Sequence, residues 1–367
     1  FSSFLWGWPM IILLLGTHIF LTVRLHFPQR KIFQAISLSF KKDKNATGDV
    51  SQFGALATAL AATIGTGNIV GVSTAICLGG FGAVFWMWVV ALLGGASAFI
   101  ESALAQVYKK KDGKGGCVGG PSYYMEQALH QRWLGVIFAV VLILTYVVGY
   151  NMLASYNLQD AFAGFGFYAK GRTPYIIGAI LAVLFAACVL GGGKRLTNIT
   201  GVLVPVMGVL YILVSLVVIF MNIKIFPSVI ANIFRDAFNF KAAFSGFAGS
   251  CIMWGIKRGL YSNEAGMGSA PNAAATADVS HPAKQGLVQM LSVFIDTLLI
   301  CSATAFMCLC SGVVPTKEAA GAAYVQASMQ QALGSFGPIF IAVSMSLFAF
   351  TTLIGNYYYC EGCLKYI

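Results

Sequence analysis

Two stretches of this chain place polar and helix-breaking residues inside long apolar runs. The first reads Ala61-Ala62-Thr63-Ile64-Gly65-Thr66-Gly67-Asn68-Ile69-Val70-Gly71. Each glycine costs about 1 kcal/mol of helix propensity relative to alanine. These glycines therefore either form a close-packing face or interrupt the helix. An interruption frees amides and carbonyls, which hydrocarbon tolerates only where they line a cavity. A half-helix restarting near Gly67 offers amides with positive dipole character, suited to a carboxylate. Unwound carbonyls suit a sodium ion and an ammonium group, so a zwitterionic amino acid matches both.

The second stretch reads Gly249-Ser250-Cys251-Ile252-Met253-Trp254-Gly255-Ile256-Lys257-Arg258-Gly259 and continues through Ser262-Asn263-Glu264-Ala265-Gly266-Met267-Gly268-Ser269-Ala270-Pro271-Asn272. A charge at membrane depth costs roughly 2.5–3.5 kcal/mol on insertion scales. Lys257 and Arg258 must then face a wet cavity or a carboxylate. Glu101, Glu264 and Asp296 are acids at similar depth, each either paired with Lys257 or Arg258 or part of a proton relay. The expected gate places Lys257 and Arg258 on the cytoplasmic half of their segment, paired with Glu101, closing the inner side while the outer side is open. Nine cysteines sit mostly in apolar runs, as small buried residues do; Cys360 and Cys363 make a lone CxxC, too little for a zinc or redox centre. No HExxH or GxSxG motif points to an enzyme.

The elements that must hold these stretches are membrane helices. Apolar residues make up 58% of the chain, charged residues 10%, and the mean hydropathy is +0.79. A soluble domain carries about a quarter charged residues, so the surplus apolar surface must face lipid. Nine segments are long and apolar enough: 4–24, 53–78, 83–108, 135–157, 174–191, 198–222, 244–262, 285–312 and 336–361. A barrel would show short alternating strands instead. Of the 23 lysines and arginines, fifteen fall in loops on the side reached after the first segment, six on the other and two within a segment. The rich side is expected to be cytoplasmic and the N-terminus outside. That topology accounts for the net charge of +11 without nucleic acid, for which no basic stripe with interleaved aromatics exists. No cleavable signal peptide is evident. The start at Phe1 and the stop inside an apolar stretch suggest a segment of a longer chain. The two interrupted segments enter from opposite sides, a pointer to a secondary transporter with inverted repeats. Channels favour symmetric pore rings. A channel or membrane sensor, and proton coupling in place of sodium, are the rival readings.

Several motifs add a family resemblance along nearly the whole chain. GTGNIVGVSTAI, GGFGAVFWMWVVALLG, GGPSYYM, KRGLYSNEAGMGSAPNAAATA, HPAKQGLVQM and FIDTLLICSATA resemble the alanine or glycine:cation symporter family. The resemblance implies an all-α, leucine-transporter-type inverted repeat with one extra N-terminal helix, and two helices beyond Ile367. It divides the chain into a peripheral helix and basic loop (1–52), a first repeat (53–222) and an incomplete second repeat (244–367). It implies symport of alanine, glycine and related small neutral amino acids with sodium, in a bacterial or archaeal plasma membrane. The amides of Thr66 and Gly67 would hold the substrate carboxylate, and Asn68 would touch sodium or substrate. Sodium would sit between the carbonyls of Ala61 and Ile64 and residues Phe348, Thr351 and Thr352 of the last segment. Two threonines on a membrane helix otherwise bond back to helix carbonyls. Gly149, Asn151, Met253, Trp254 and Gly255 would complete the pocket, though Trp254 fits equally as a packing or interfacial residue. Relatives often carry tryptophan where this chain has Asn356, a departure that implies room for serine or glutamine.

Overall fold

The computed structural model describes residues 7–41, 50–112, 116–190, 192–239 and 248–367. The chain is an all-α, multi-pass membrane protein; the one sheet among the described residues pairs Lys110–Lys111 with Cys117–Val118, antiparallel. The helices, in chain order, are α1 Trp8–Arg24, α2 Ile32–Phe40, α3 Gln52–Thr63, α4 Val72–Gly79, α5 Gly82–Val107, α6 Pro121–Leu129, α7 Arg132–Asp160, α8 Thr173–Val189, α9 Gly192–Met221, α10 Phe226–Ala237, α11 Ala248–Asn263, α12 Ala270–Ala274, α13 Pro282–Leu309, α14 Ala322–Leu333 and α15 Phe336–Leu364. All nine expected segments coincide with helices; the first residues of those drawn from 4 and 244 lie outside the described residues. Among the described residues, five further helices lie outside the nine segments: α2, α6, α10, α12 and α14. Each is 12 residues or shorter, too short to register as a span.

Lipid-facing surface is plain along α7, α8 and α9. Ile137, Val141, Leu144, Val183, Val202 and Val206 are all at least half exposed, which only a hydrocarbon surround makes cheap. Small residues bring the inner helices close. Gly255 of α11 lies on the Ala83 carbonyl and Trp86 of α5, Gly259 on Met87 and Val90, and Gly94 on Ala265. Such contacts replace the missing hydrophobic drive between helices in lipid. The register rises together on both helices, so α11 runs parallel to α5. On its other side, Arg258 and Tyr261 of α11 face Gly71 and Gly67, so α11 runs antiparallel to α4. The two interrupted segments therefore cross in opposite directions.

Candidate functional site

The first interruption falls where the glycines predicted it. Helix α3 ends at Thr63, Ile64 leaves helical backbone at φ −74°, ψ 88°, and a wide π-type turn over Gly67–Gly71 leads into α4, with a 56° bend between the halves. Asn68 holds this break together: its Oδ1 accepts from the Gly65 amide at 2.8 Å. A Cβ on Gly65 would overlap the Thr352 hydroxyl of α15, so only glycine permits that approach. Thr352 Oγ1 donates to its own helix at Phe348 O (2.8 Å) and lies 3.5 Å from Ala62 O across the break. Thr351 bonds back to Leu347 and Phe348 carbonyls and turns towards Met207 Sδ, 3.7 Å away.

Behind the break stands a buried polar cluster that residue spacing alone did not reveal. Asp296, fully buried on a π-type turn of α13, accepts from Asn68 Nδ2 at 2.6 Å, Ser262 Oγ at 2.8 Å and Thr297 Oγ1 at 2.9 Å. The cluster thus ties the first broken segment, the second broken segment and α13 to one carboxyl group. Asn157 of α7 reaches the same break through Thr66 Oγ1 at 3.1 Å. The sequence signal was present, since Asp296 is an acid inside an apolar run, but its partners lie up to 228 residues away.

The second interruption spans Glu264–Ser269. Glu264 adopts left-handed backbone at φ 55°, as do Gly266 and Gly268. The Asn263 side chain accepts from the Ala265 amide, and Ser269 Oγ donates to Glu264 Oε2 at 2.6 Å. Glu264 also bonds to Tyr146, one member of a stack in which Tyr146 and Tyr150 rings lie 4.7 Å apart and Tyr150 and Tyr261 5.1 Å apart. Between the two breaks is a cavity of about 20 Å³ lined by Gly65, Thr66, Gly67, Tyr150, Tyr261, Glu264 and Thr352, among others. It holds about one water-sized body; an amino acid enters only if the helix halves or tyrosines move.

The structure sorts the expected site residues. Thr66, Gly67 and Thr352 line the cavity, while Asn68, Ala61, Ile64, Phe348 and Thr351 are buried around it. Asn356 is buried one helical turn along α15 from Thr352, and its Nδ2 donates to Asn151 Oδ1 at 2.8 Å. Gly149 is exposed with nothing within 4 Å of a Cβ built there, so it does not line the cavity. Met253 packs with Ile11 and Ile256, and Gly255 packs on α5. The cavity residues of α11 lie about two turns further along, at Tyr261 and Ser262. Trp254 is a platform for cations: Arg258 Cζ lies 5.4 Å and Lys257 Nζ 5.9 Å from its ring centroid.

The expected gate pair is not formed. Glu101 accepts hydrogen bonds from the backbone of Gly266 and Gly268, and no ion pair joins it, Glu264 or Asp296 to Lys257 or Arg258. The reason is register. Lys257 and Arg258 lie before the break, level with about Met87 on α5. Fourteen residues of helix, about 20 Å, separate that level from Glu101. With the break after Asn263, Lys257 and Arg258 lie on the other side of it from Gly266 and Gly268, the partners of Glu101.

All of residues 1–367 match the family described as the sodium:alanine symporter family. The chain belongs to that family. It is 44% identical over 368 residues to the "Probable sodium/glutamine symporter GlnT" of Bacillus subtilis, covering all of this chain and 76% of that protein. It is 43% identical over 385 residues to the "Putative sodium/proton-dependent alanine carrier protein YrbD" of the same organism, covering 77% of it. It is also 43% identical over 377 residues to the "Sodium/alanine symporter AgcS" of Methanococcus maripaludis, covering 82% of it. The chain is thus a sodium-coupled amino-acid symporter, and the cavity between the two breaks is read on that footing.

Proposed function

We propose that this chain carries alanine and glycine, with serine and glutamine as further substrates, together with sodium by alternating access. The observation that carries this reading is the Thr352 hydroxyl lodged against the break at Ala62 and Gly65. A partly dehydrated sodium ion needs oxygen ligands, and here a hydroxyl from the last segment lies 3.5 Å from the Ala62 carbonyl beside the break. The sodium ligands are then Ala61 and Ile64 carbonyls with Phe348 and Thr352, joined by Thr351 once its hydroxyl turns from Met207 to the break. The amides of Thr66 and Gly67 take the substrate carboxylate beside it. Asp296 supplies a buried negative charge that offsets the cation.

The opposed course of the two broken segments supports a leucine-transporter-type inverted repeat, with 53–222 and 244–367 as the related halves and α1 peripheral. Loop charge supports an N-terminus outside, and relatives from a bacterium and an archaeon support a bacterial or archaeal plasma membrane. One second reading has a specific observation behind it. Asp296 has no cationic partner among the described residues, which suits a group that trades a proton, and a relative bears a sodium/proton name. Uptake of a panel of labelled amino acids into proteoliposomes distinguishes them. An inward sodium gradient alone should drive alanine accumulation; accumulation driven by a proton gradient without sodium would promote the second reading.

A further inference from the structure

Helix α11 carries two positive charges that neither the carboxylate cradle nor the sodium site uses. Trp254, Arg258 and Tyr261 follow i, i+4, i+7 spacing and share one face of the helix. That face runs along α4. Arg258 Cδ lies 3.8 Å from where a Cβ on Gly71 would stand, and the Tyr261 ring lies 3.5 Å from the same point on Gly67. Tyr261 lines the cavity, so the face leads from Trp254 past Arg258 to the cradle. Gly71 and Gly67 are one helical turn apart, about 6 Å. Arg258 therefore stands one turn out from the amides of Thr66 and Gly67. Both cations are partly buried, and both sit against the Trp254 ring, where a cation gains from the ring's electron-rich face.

Among the described residues, no carboxylate pairs with either cation. Charge at this depth is costly to keep, and a guanidinium presents a fork of donors matched to a carboxylate. A positive pair in a narrow mouth also raises the local concentration of anionic groups and repels cationic ones. We propose that Arg258, seated on Trp254 and backed by Lys257, is an outer docking post for the substrate's α-carboxylate. It receives the amino acid one turn before the cradle and disfavours cationic amino acids. This rests on the reading that Thr66 and Gly67 form the cradle.

The test uses the full-length carrier in proteoliposomes with labelled alanine. Arg258→Gln should raise the alanine KM about tenfold, the loss of one charge-assisted contact, while kcat and the sodium half-saturation hold. Arg258→Lys, which keeps the charge, should recover most of the affinity. The gap between wild type and Arg258→Gln should narrow at high ionic strength. L-Lysine should be inert against wild type and should inhibit the double variant K257Q/R258Q. An unchanged alanine KM in Arg258→Gln, or lysine that stays inert against the double variant, overturns the proposal. So does an equal loss of kcat in Arg258→Gln and Arg258→Lys, which marks a packing role. Gly67→Ala separates the two levels of the argument, because its methyl enters the cavity beside Tyr261. If Gly67→Ala leaves the KM untouched, the cradle fails; if only Arg258→Gln does, the docking post alone fails.

Discussion

Replacing Thr352 with valine removes one hydroxyl and leaves the side-chain shape almost intact. Within the fold, that hydroxyl makes a 2.8 Å bond to Phe348 O in its own helix and a 3.5 Å approach to Ala62 O. The first is a local back-bond whose acceptor is also bonded by Thr351 at 3.1 Å. Folding stability should therefore change by about 1 kcal/mol or less. Sodium binding should change far more. A hydrogen-bonding contact to a charged group is worth about 1.5–3 kcal/mol, and each 1.4 kcal/mol is a factor of ten. Thr352→Val should raise the sodium concentration for half-maximal alanine uptake by about 10–100-fold, with maximal rate recovered at high sodium. Thr351→Val should have a smaller effect, because its hydroxyl turns to Met207 rather than to the break. The assay is initial-rate uptake against sodium concentration, with thermal unfolding in detergent as a control. An unchanged sodium dependence in Thr352→Val, with folding intact, refutes the placement of sodium at this hydroxyl.

Other consequences follow from the same geometry. Asp296→Asn removes the buried negative charge beside the break and should weaken sodium dependence at least tenfold, by the same contact energies; loss of pH dependence with sodium dependence kept would favour proton exchange at Asp296. Asn356→Trp should narrow competition to alanine and glycine, since one methylene is worth about 1–3 kcal/mol of discrimination and an indole fills far more. If serine and glutamine never compete in wild type, or the tryptophan leaves the range unaltered, Asn356 does not reach the substrate. Glu101→Ala strips the acceptor from the Gly266 and Gly268 backbone and should cost about 1–3 kcal/mol in thermal unfolding; unaltered stability would show that the second break does not depend on Glu101.

The elements of this site were far more legible than their registration. Gly65, Gly67 and Asn68 announced a break because they combine weak helix propensity with polarity inside an apolar run. The break in the second segment was also written in the sequence, as Gly266 and Gly268 around Glu264. Pocket residues on α11 were drawn about two turns too early, on Met253, Trp254 and Gly255, because an apolar run does not show where its helix stops. That same offset paired Lys257 and Arg258 with Glu101, which the structure places across the break from them. Gly149 was drawn into the pocket although it lies on the outward side of α7, a distinction that a uniformly apolar helix conceals. Asp296 was visible as a buried acid, yet its ties to Asn68, Ser262 and Thr297 are set by packing between segments distant in sequence. Short helices such as α10 and α14 escaped because membrane hydropathy registers length before amphipathicity.

The claim at the centre of this account is that sodium and amino acid share one break, with sodium at Thr352 and the carboxylate at Thr66 and Gly67. Neighbouring ligands of opposite charge must help each other bind, and by linkage the help is reciprocal. Titrating the purified full-length carrier calorimetrically with alanine at several sodium concentrations measures this directly. The account predicts that alanine affinity rises with sodium, that sodium affinity rises by the same factor with alanine, and that Thr352→Val removes the coupling. Alanine binding that is indifferent to sodium would contradict it.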